Sequence, residues 1–563
     1  MRTDRADPLT DMLPISPFQE GIWLFWRLNP DSPAYAMPEV FHFDGDFDVE
    51  AAEFAFNETI RRHEALRTTF RETGDGVVQV IDRDPQPVAV DVVDLRGVPA
   101  DAQPVRLHAA LDAAANRPFD LSAGPAIRLT AIRVSENRTS LVMVAHHIVC
   151  DGTSMSIIFD EFGELYRSAR QGTRASLGPV APGYSVFVRG QLAALAGGGR
   201  EEDLAYWREQ LAGVTGSVLP GTEHSAARLP EALDTYTLST TLRDELAEAV
   251  SAYARRARAT PFTILLSAMN VMIVVAAGAD DVAIGTATSG RTPKFARTVG
   301  MLTNMVVSRS RIDVGRTFGA VLEDVSLDLM DAIDHQDLPF SQVIADLREA
   351  GLKSGASLTR TGFSAGAVGR LNFGEGKLSE TVAHTAEGSF DLAAFCDITP
   401  SGIAIDWEYA QRAYSREIAE GYCAAYQEIL AALVGQPDVP MDSLGLAEIL
   451  ARVVPLRSGE ALAPGTGDPA AAESPAADSP VASAGAGPDS LLTPVEEAVA
   501  AIWSTVIGVP VGSPEDDFFE LGGHSTLASR IIAQVRTEVS PSASLRLLFE
   551  HPQLRDFSSR LTM

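Results

Sequence analysis

The sequence predicts an α/β protein with mixed sheets, joined through a linker to a small all-α unit. Two observations carry the α/β part. Short apolar runs such as 141–145 (LVMVA) stand among segments with helical spacing, and they lack the regular strand–helix alternation of a doubly wound fold. A third observation separates the two parts. From about 457 to 488 the chain is almost entirely Ala, Pro, Ser, Gly and Asp, a composition that cannot bury a core. At 563 residues the chain exceeds one ordinary core, so two to four domains are expected.

Residues 51–62 form a helical segment, and 66–70 (LRTTF) read as extended. The run 141–145 suits a strand buried on both faces, continuing to 147. Residues 242–258 and 261–277 read as helices. The most apolar stretch, 264–279, is interrupted by Ser267 and Asn270 and reads as a buried helix rather than a membrane span. Residues 282–286 and 305–309 read as strands and 318–334 as a helix, while 179–199 is taken as the crossover between two lobes. In the tail, Thr493-Pro494-Val495-Glu496 is a capping box with Pro at the first helical position. Val495, Val499, Ile502, Trp503 and Val506 form its apolar stripe, and Gly508 ends it. Ser525 precedes a second stripe of Leu527, Ile531 and Val535; 545–549 and 554–561 supply a third and a fourth element. The expected domains are therefore 1–178 and 179–456 (two lobes), a linker over 457–489, and a helical unit over 490–563.

The formal charge of −30 disfavours nucleic acid and anionic membrane as partners, since both call for basic patches. The three cysteines, Cys150, Cys396 and Cys423, are scattered and odd in number, which offers neither a disulfide framework nor metal-ligand spacing. No basic segment followed by an apolar one opens the chain, so no signal peptide is expected, and the location expected is cytoplasmic.

The chemistry concentrates in His146-His147-Ile148-Val149-Cys150-Asp151-Gly152. Neighbouring strand residues face opposite sides, so one histidine serves a cleft while the other packs behind it. That alternation also argues against chelation of one metal by His146 and His147, and no Cys/His cluster stands nearby to complete a shell. Cys150 reads as packed rather than nucleophilic.

This HHxxxDG stretch resembles the signature of nonribosomal peptide synthetase condensation domains and their acyltransferase relatives. Further blocks match in chain order: residues 16–23 (SPFQEGIW), 62–70 (RHEALRTTF), 206–211 (YWREQL), 299–304 (VGMLTN, with Leu replacing the usual Phe) and 335–340 (HQDLPF). Residues 184–187 (YSVF) are a weaker match, and after the HQD block only Leu371-Asn372-Phe373 stays recognisable. The resemblance implies a two-lobed chloramphenicol-acetyltransferase-like fold. It implies His147 as the catalytic histidine in a tunnel between the lobes, either accepting a proton or positioning the nucleophile. It implies His146 and Asp151 as architectural, with Arg67 and Arg291 as candidate partners for Asp151. The backbone N–H of Gly152 is a candidate for stabilising a developing oxyanion.

Residues 516–525 (DDFFELGGHS) resemble the DxFFxLGGHS motif of peptidyl carrier proteins, and 549–552 (FEHP) match a later stretch of that domain. A serine opening a helix is otherwise read as an N-cap. The resemblance makes Ser525 the attachment point of 4′-phosphopantetheine, on a four-helix-bundle carrier, and a helix N-terminus suits the phosphate. With Leu527 where a hydrolase elbow needs Gly, no esterase reading applies.

Together these imply condensation of an upstream acyl or peptidyl thioester with an amine held on the chain's own carrier. The partners expected are an upstream donor carrier, an adenylation enzyme acting in trans and a phosphopantetheinyl transferase. The rivals are ester formation with a hydroxyl acceptor, a non-catalytic condensation-like recruitment domain, and an epimerase relative, whose further signature blocks do not appear.

Overall fold

Caps and buried apolar runs fix the elements of the computed structural model. It describes residues 10–561 apart from 75, 198, 215–218, 222–232, 350–359, 367–370, 375, 382–386, 389, 400–401, 455–491, 508, 519–520, 522–524, 545–546 and 549–550. In chain order the first part comprises β1 (Thr10–Pro14), α1 (Pro17–Leu28), β2 (Ala36–Asp44), α2 (Val49–Arg62), β3 (Thr68–Thr73), β4 (Gly76–Asp82) and β5 (Asp91–Asp94). It continues with α3 (Gln103–Ala115), β6 (Ile127–Ser135), β7 (Arg138–His146), α4 (Gly152–Gln171), α5 (Tyr184–Ala196) and α6 (Gly199–Gln210). The second part comprises β8 (Leu233–Thr241), α7 (Asp244–Ala257), α8 (Pro261–Ala277), β9 (Asp281–Thr288), β10 (Asn304–Arg311), α9 (Phe318–Asp334) and α10 (Phe340–Glu349). Then follow β11 (Thr361–Ala365), β12 (Lys377–Thr381), β13 (Glu387–Gly388), β14 (Leu392–Thr399), β15 (Gly402–Ala410), α11 (Arg416–Gly435) and α12 (Leu446–Val453). The tail shows α13 (Pro494–Ile507), α14 (Ser525–Glu538) and α15 (Leu554–Ser559).

Three sheets organise these strands: β1-β4-β3, β12-β2-β7-β6-β5 and β10-β9-β11-β14-β15-β8-β13. β7 lies between β2 and β6 and buries eight consecutive residues, as its unbroken apolar run requires. One core forms between the five-stranded sheet and α2 and α4; a second forms between the seven-stranded sheet and α7, α8 and α11. The second lobe lends a strand to the first. After β11 the chain crosses over, seats Leu371 and Phe373 in the first core, and adds β12 antiparallel to β2 with Lys377 opposite Asp44.

The helices over 261–277 and 318–334 have the bounds the sequence predicts. Thr260 caps α8 by accepting from the Thr263 amide at 3.1 Å, Pro261 sits at its first position, and Gly278 ends it at φ 62°. The extended reading of 66–70 holds only from Thr68: Glu64–Arg67 is a 3₁₀ turn, closed by the Leu66 amide on the His63 carbonyl. The strand read to 147 stops at His146, because His147–Val149 turns into a second 3₁₀ segment ahead of α4. The predicted linker and Gly508 lie outside the described residues, as does most of the third tail element. No single described helix is long and apolar enough to cross a membrane; α7 and α8 pass that test only as a pair, bent by 104°, and α8 is buried in the second core.

Candidate active site

The site is built where the end of β7 meets the N-terminus of α4. Asp151 is the N-cap of α4: its Oδ1 accepts from the Ser154 amide at 2.8 Å. The same oxygen accepts from Arg291 Nη2 at 2.7 Å, and Oδ2 accepts from the Leu302 amide at 3.0 Å. Asp151 is 1% exposed. A buried carboxylate costs several kcal/mol unless its lone pairs are filled, and here an ion pair and two amides fill them. Arg291 in turn donates from Nη1 to the Thr298 and Phe295 carbonyls, at 2.7 and 3.1 Å. Arg67 does not reach Asp151; its guanidinium donates to the Asp82 carbonyl on β4.

The loop that brings Arg291 needs glycine at two places. Gly290 has φ +56°, and a Cβ there would lie 2.1 Å from the Leu302 carbonyl oxygen. A Cβ on Gly300 would lie 2.2 Å from the Tyr184 ring. This close approach lets Ser154 Oγ donate to the Gly300 carbonyl (2.9 Å), accept from its amide (3.1 Å), and accept from Arg291 (2.9 Å). Tyr184 adds a bond to the Met301 carbonyl at 2.9 Å. The 299–304 block is thereby fastened beneath the histidine motif from across the lobes.

The two histidines differ in setting. His146 is buried, its ring edge-on to Phe119, and its Nδ1 accepts from the Ile148 amide at 3.2 Å. Burial, with help from the neighbouring His147 and Arg128, pushes its pKa down to about 3, so it stays neutral and acts as an acceptor. His147 is half-buried. Its Nδ1 lies 2.9 Å from the Cys150 carbonyl. A carbonyl only accepts, so in the neutral ring Nδ1 carries the proton and Nε2 the lone pair. Gln19 of α1 fixes the turn that follows His146 by donating to the Ile148 carbonyl at 2.6 Å. Cys150 is fully buried and burial pushes its thiol pKa far up, so it is no thiolate nucleophile. Gly152 is the first residue of α4, whose opening amides lack partners within the helix. Among the described residues no group of three or more His, Cys, Asp or Glu is placed to hold a metal ion.

The other sequence blocks brace this site. Arg62 and His63 both reach the buried Glu161 of α4 at 2.8 Å, and Glu64 accepts from the Ser185 amide at 3.0 Å. His335 stacks on Tyr206 (3.9 Å, 17°) and pairs with Asp203 at 2.7 Å. Sequence reasoning gave Gln19, Ser154 and Tyr184 no role. The first and last stand in blocks it matched, so the signal was there without the partner.

Residues 9–449 match the family model for the condensation domain. The chain belongs to the condensation-domain family. Residues 497–561 match the phosphopantetheine attachment site, so this condensation protein also has a carrier domain with covalently attached 4′-phosphopantetheine. Among curated relatives, chondramide synthase cmdD of Chondromyces crocatus is 35% identical over 61% of this chain and 9% of its own length. A linear gramicidin synthase of Brevibacillus parabrevis is 30% identical over 76% of this chain and 8% of its own length. The phosphinothricin tripeptide synthetase PhsB of Streptomyces viridochromogenes is 28% identical over 79% of this chain and 38% of its own. The chain thus spans under a tenth of the first two relatives. Among solved structures, the starter condensation domain of rhizomide synthetase superposes with TM-score 0.67 at 22% identity, covering 77% of this chain and 97% of that one. The first condensation domain of the calcium-dependent antibiotic synthetase gives 0.66 at 21%, covering 77% and 99%. These likenesses fix the two-lobed condensation fold. Ser525, which the sequence reading expects to carry the group, opens α14, a fourteen-residue helix, and a helix N-terminus favours a phosphate.

Proposed function

We propose that this chain joins an acyl or peptidyl thioester, delivered by an upstream donor carrier, to the amine of an aminoacyl group held on its own carrier at Ser525. The observation that carries the reading is His147, tied at Nδ1 to the Cys150 carbonyl with its Nε2 lone pair left for the reaction. When bound, 4′-phosphopantetheine supplies the thioester linkage and the reach. The residues of the chain do the rest. His147 Nε2 receives or orients the proton of the attacking amine as the N–C bond forms. The C–S bond of the donor breaks, and its sulfur leaves as the thiol with that proton. A general base contributes roughly 10²–10⁴ in rate, and holding the amine in line contributes further. The Gly152 amide at the mouth of α4 faces the charge that develops on the carbonyl oxygen. Asp151 and Arg291 do not touch substrate; they hold the turn that places His147. An adenylation enzyme in trans, a phosphopantetheinyl transferase and a cytoplasmic setting complete the proposal, with residues 490–563 as a four-helix carrier.

The test loads Ser525 with an aminoacyl-pantetheine by a broad phosphopantetheinyl transferase, offers an acyl thioester, and weighs the intact protein. The expected result is an N-acyl adduct that disappears in Ser525→Ala and forms about 10²-fold or more slowly in His147→Ala. Equal rates in His147→Ala and the parent would overturn the role of His147. An adduct formed only with a hydroxyacyl group would shift the reading to ester formation.

A further inference from the structure

The carrier is seated on the second lobe through contacts that the condensation chemistry does not use. Met330 of α9 is buried within the carrier's own apolar cluster, beside Val499, Trp503, Phe518, Ile531 and Val535, and Ile333 packs against that cluster. Met330, Ile333 and Asp334 stand at helical spacings of three and four, so they share one face of α9. At the end of that face Arg536 of α14 reaches Asp334, Nη2 to Oδ1, at 3.0 Å. The guanidinium is aimed from within the carrier, because its Nε donates to the Ala543 carbonyl at 2.6 Å. A second ion pair runs the other way: Asp517 of the carrier lies 3.8 Å from Arg258, just after α7.

We infer that the end of α9, together with Arg258, is the docking surface for this chain's own carrier, and that two ion pairs of opposite polarity set the orientation in which it sits. The inference rests on the carrier domain at 497–561 and not on the chemistry proposed for His147. On the lobe an acid (Asp334) and a base (Arg258) flank the apolar seat, and the carrier presents a base and an acid in return. A carrier turned end for end would set Asp517 against Asp334 and Arg536 against Arg258. Opposed charges at an interface fix register and reject wrong partners more than they add affinity. Weak attraction suffices here, since covalent linkage makes the encounter intramolecular.

The dock also sits close to the histidine motif through the backbone. Asp334 immediately precedes His335-Gln336-Asp337. That turn is pinned by Asn304, whose Nδ2 donates to the Gln336 and Leu338 carbonyls at 2.7 and 2.8 Å. Asn304 lies two residues after Leu302, whose amide binds Asp151. The carrier is therefore seated on the end of α9, and the turn after it is fastened to the start of β10, two residues from the Leu302 amide that binds Asp151.

The test is a charge exchange in the full phosphopantetheinylated chain, with Arg536→Asp, Asp334→Arg and the double variant. Hydrogen exchange of amides 328–338 reads the dock, and modification of Ser525 by the transferase reads carrier folding. Each single variant is expected to exchange about five- to tenfold faster over 328–338 while accepting the modification normally. The double variant is expected to return to the parent's protection. Equal exchange in all four proteins, or no recovery in the double variant, overturns the inference. Protected amides with no condensation in the parent would sink the proposed reaction and leave the dock standing; equal exchange in all four proteins with condensation intact in the parent would do the reverse.

Discussion

The histidine motif and the carrier are both fastened to the rest of the protein by an aspartate–arginine pair, and the two fastenings are built differently. At the motif, Asp151 and Arg291 are 1% and 7% exposed at their side chains, and the pair is tied further to the backbone at Ser154, Thr298, Phe295 and Leu302 and to the Ser154 hydroxyl. At the carrier, Arg536 and Asp334 are 37% and 11% exposed, and Arg258 stands half in solvent. A buried pair is costly to break because the survivor is left as an uncompensated charge; an exposed pair is worth about 0–1 kcal/mol. The first suits a site held in one place, the second a domain whose seat can be left.

Four measurements probe how far the two fastenings differ. The largest effect is expected from Arg291→Ala, which strands the Asp151 carboxylate: about 3–5 kcal/mol of unfolding free energy in urea titration, with the reaction lost. Asp334→Ala should cost under about 1 kcal/mol in the same titration. Comparable losses in the two variants would erase the distinction.

Next is Gly300→Ala, whose new methyl meets the Tyr184 ring. It should destabilise by about 1–3 kcal/mol and slow condensation more than it slows modification of Ser525.

The third is a pH effect. His146 has a folded pKa near 3 against about 6.5 when unfolded, so the unfolded state binds the extra proton between those values. Its contribution is full above about pH 6.5 and is lost as pH falls toward about 3, at up to about 1.4 kcal/mol per pH unit. His146→Asn keeps an acceptor for the Ile148 amide and should flatten that slope in a pH series of denaturation midpoints. An unchanged slope would remove His146 as its source.

The smallest effect is salt. At about 1 M the screening length falls to about 3 Å, so amides 328–338 should exchange about two- to fivefold faster. Protection around Asp151 should hold, because buried pairs are screened far less.

Local signals carried much of this architecture. Helices α8 and α9 were legible to the residue because a capping threonine and an apolar run define each. The end of β7 was misplaced by one residue, since periodicity does not register the 3₁₀ turn that His147 enters. Long-range pairing was the real limit. The sequence offered two arginines for Asp151, and only the fold, by carrying Arg291 across 140 residues to it, distinguishes them. Ser154 on Gly300 and Gln19 on Ile148 were hidden for the same reason. The carrier's seat on α9 was hidden further, because Met330 reads from sequence as one more core position of an amphipathic helix.

The strand that the second lobe lends to the first has a consequence of its own. β12 leaves the second lobe, hydrogen-bonds along the edge of β2 from Asp44 to Val40, and the chain then returns to β14. β2 is also the neighbour of β7, which ends at His146, with Ala36 opposite that residue. The space between the lobes is therefore stitched along one side, and opening it like a book would mean unzipping a five-residue ladder. Any parting of the lobes along that side is therefore tied to the loss of backbone hydrogen bonds, whereas sliding within the ladder's limits is not.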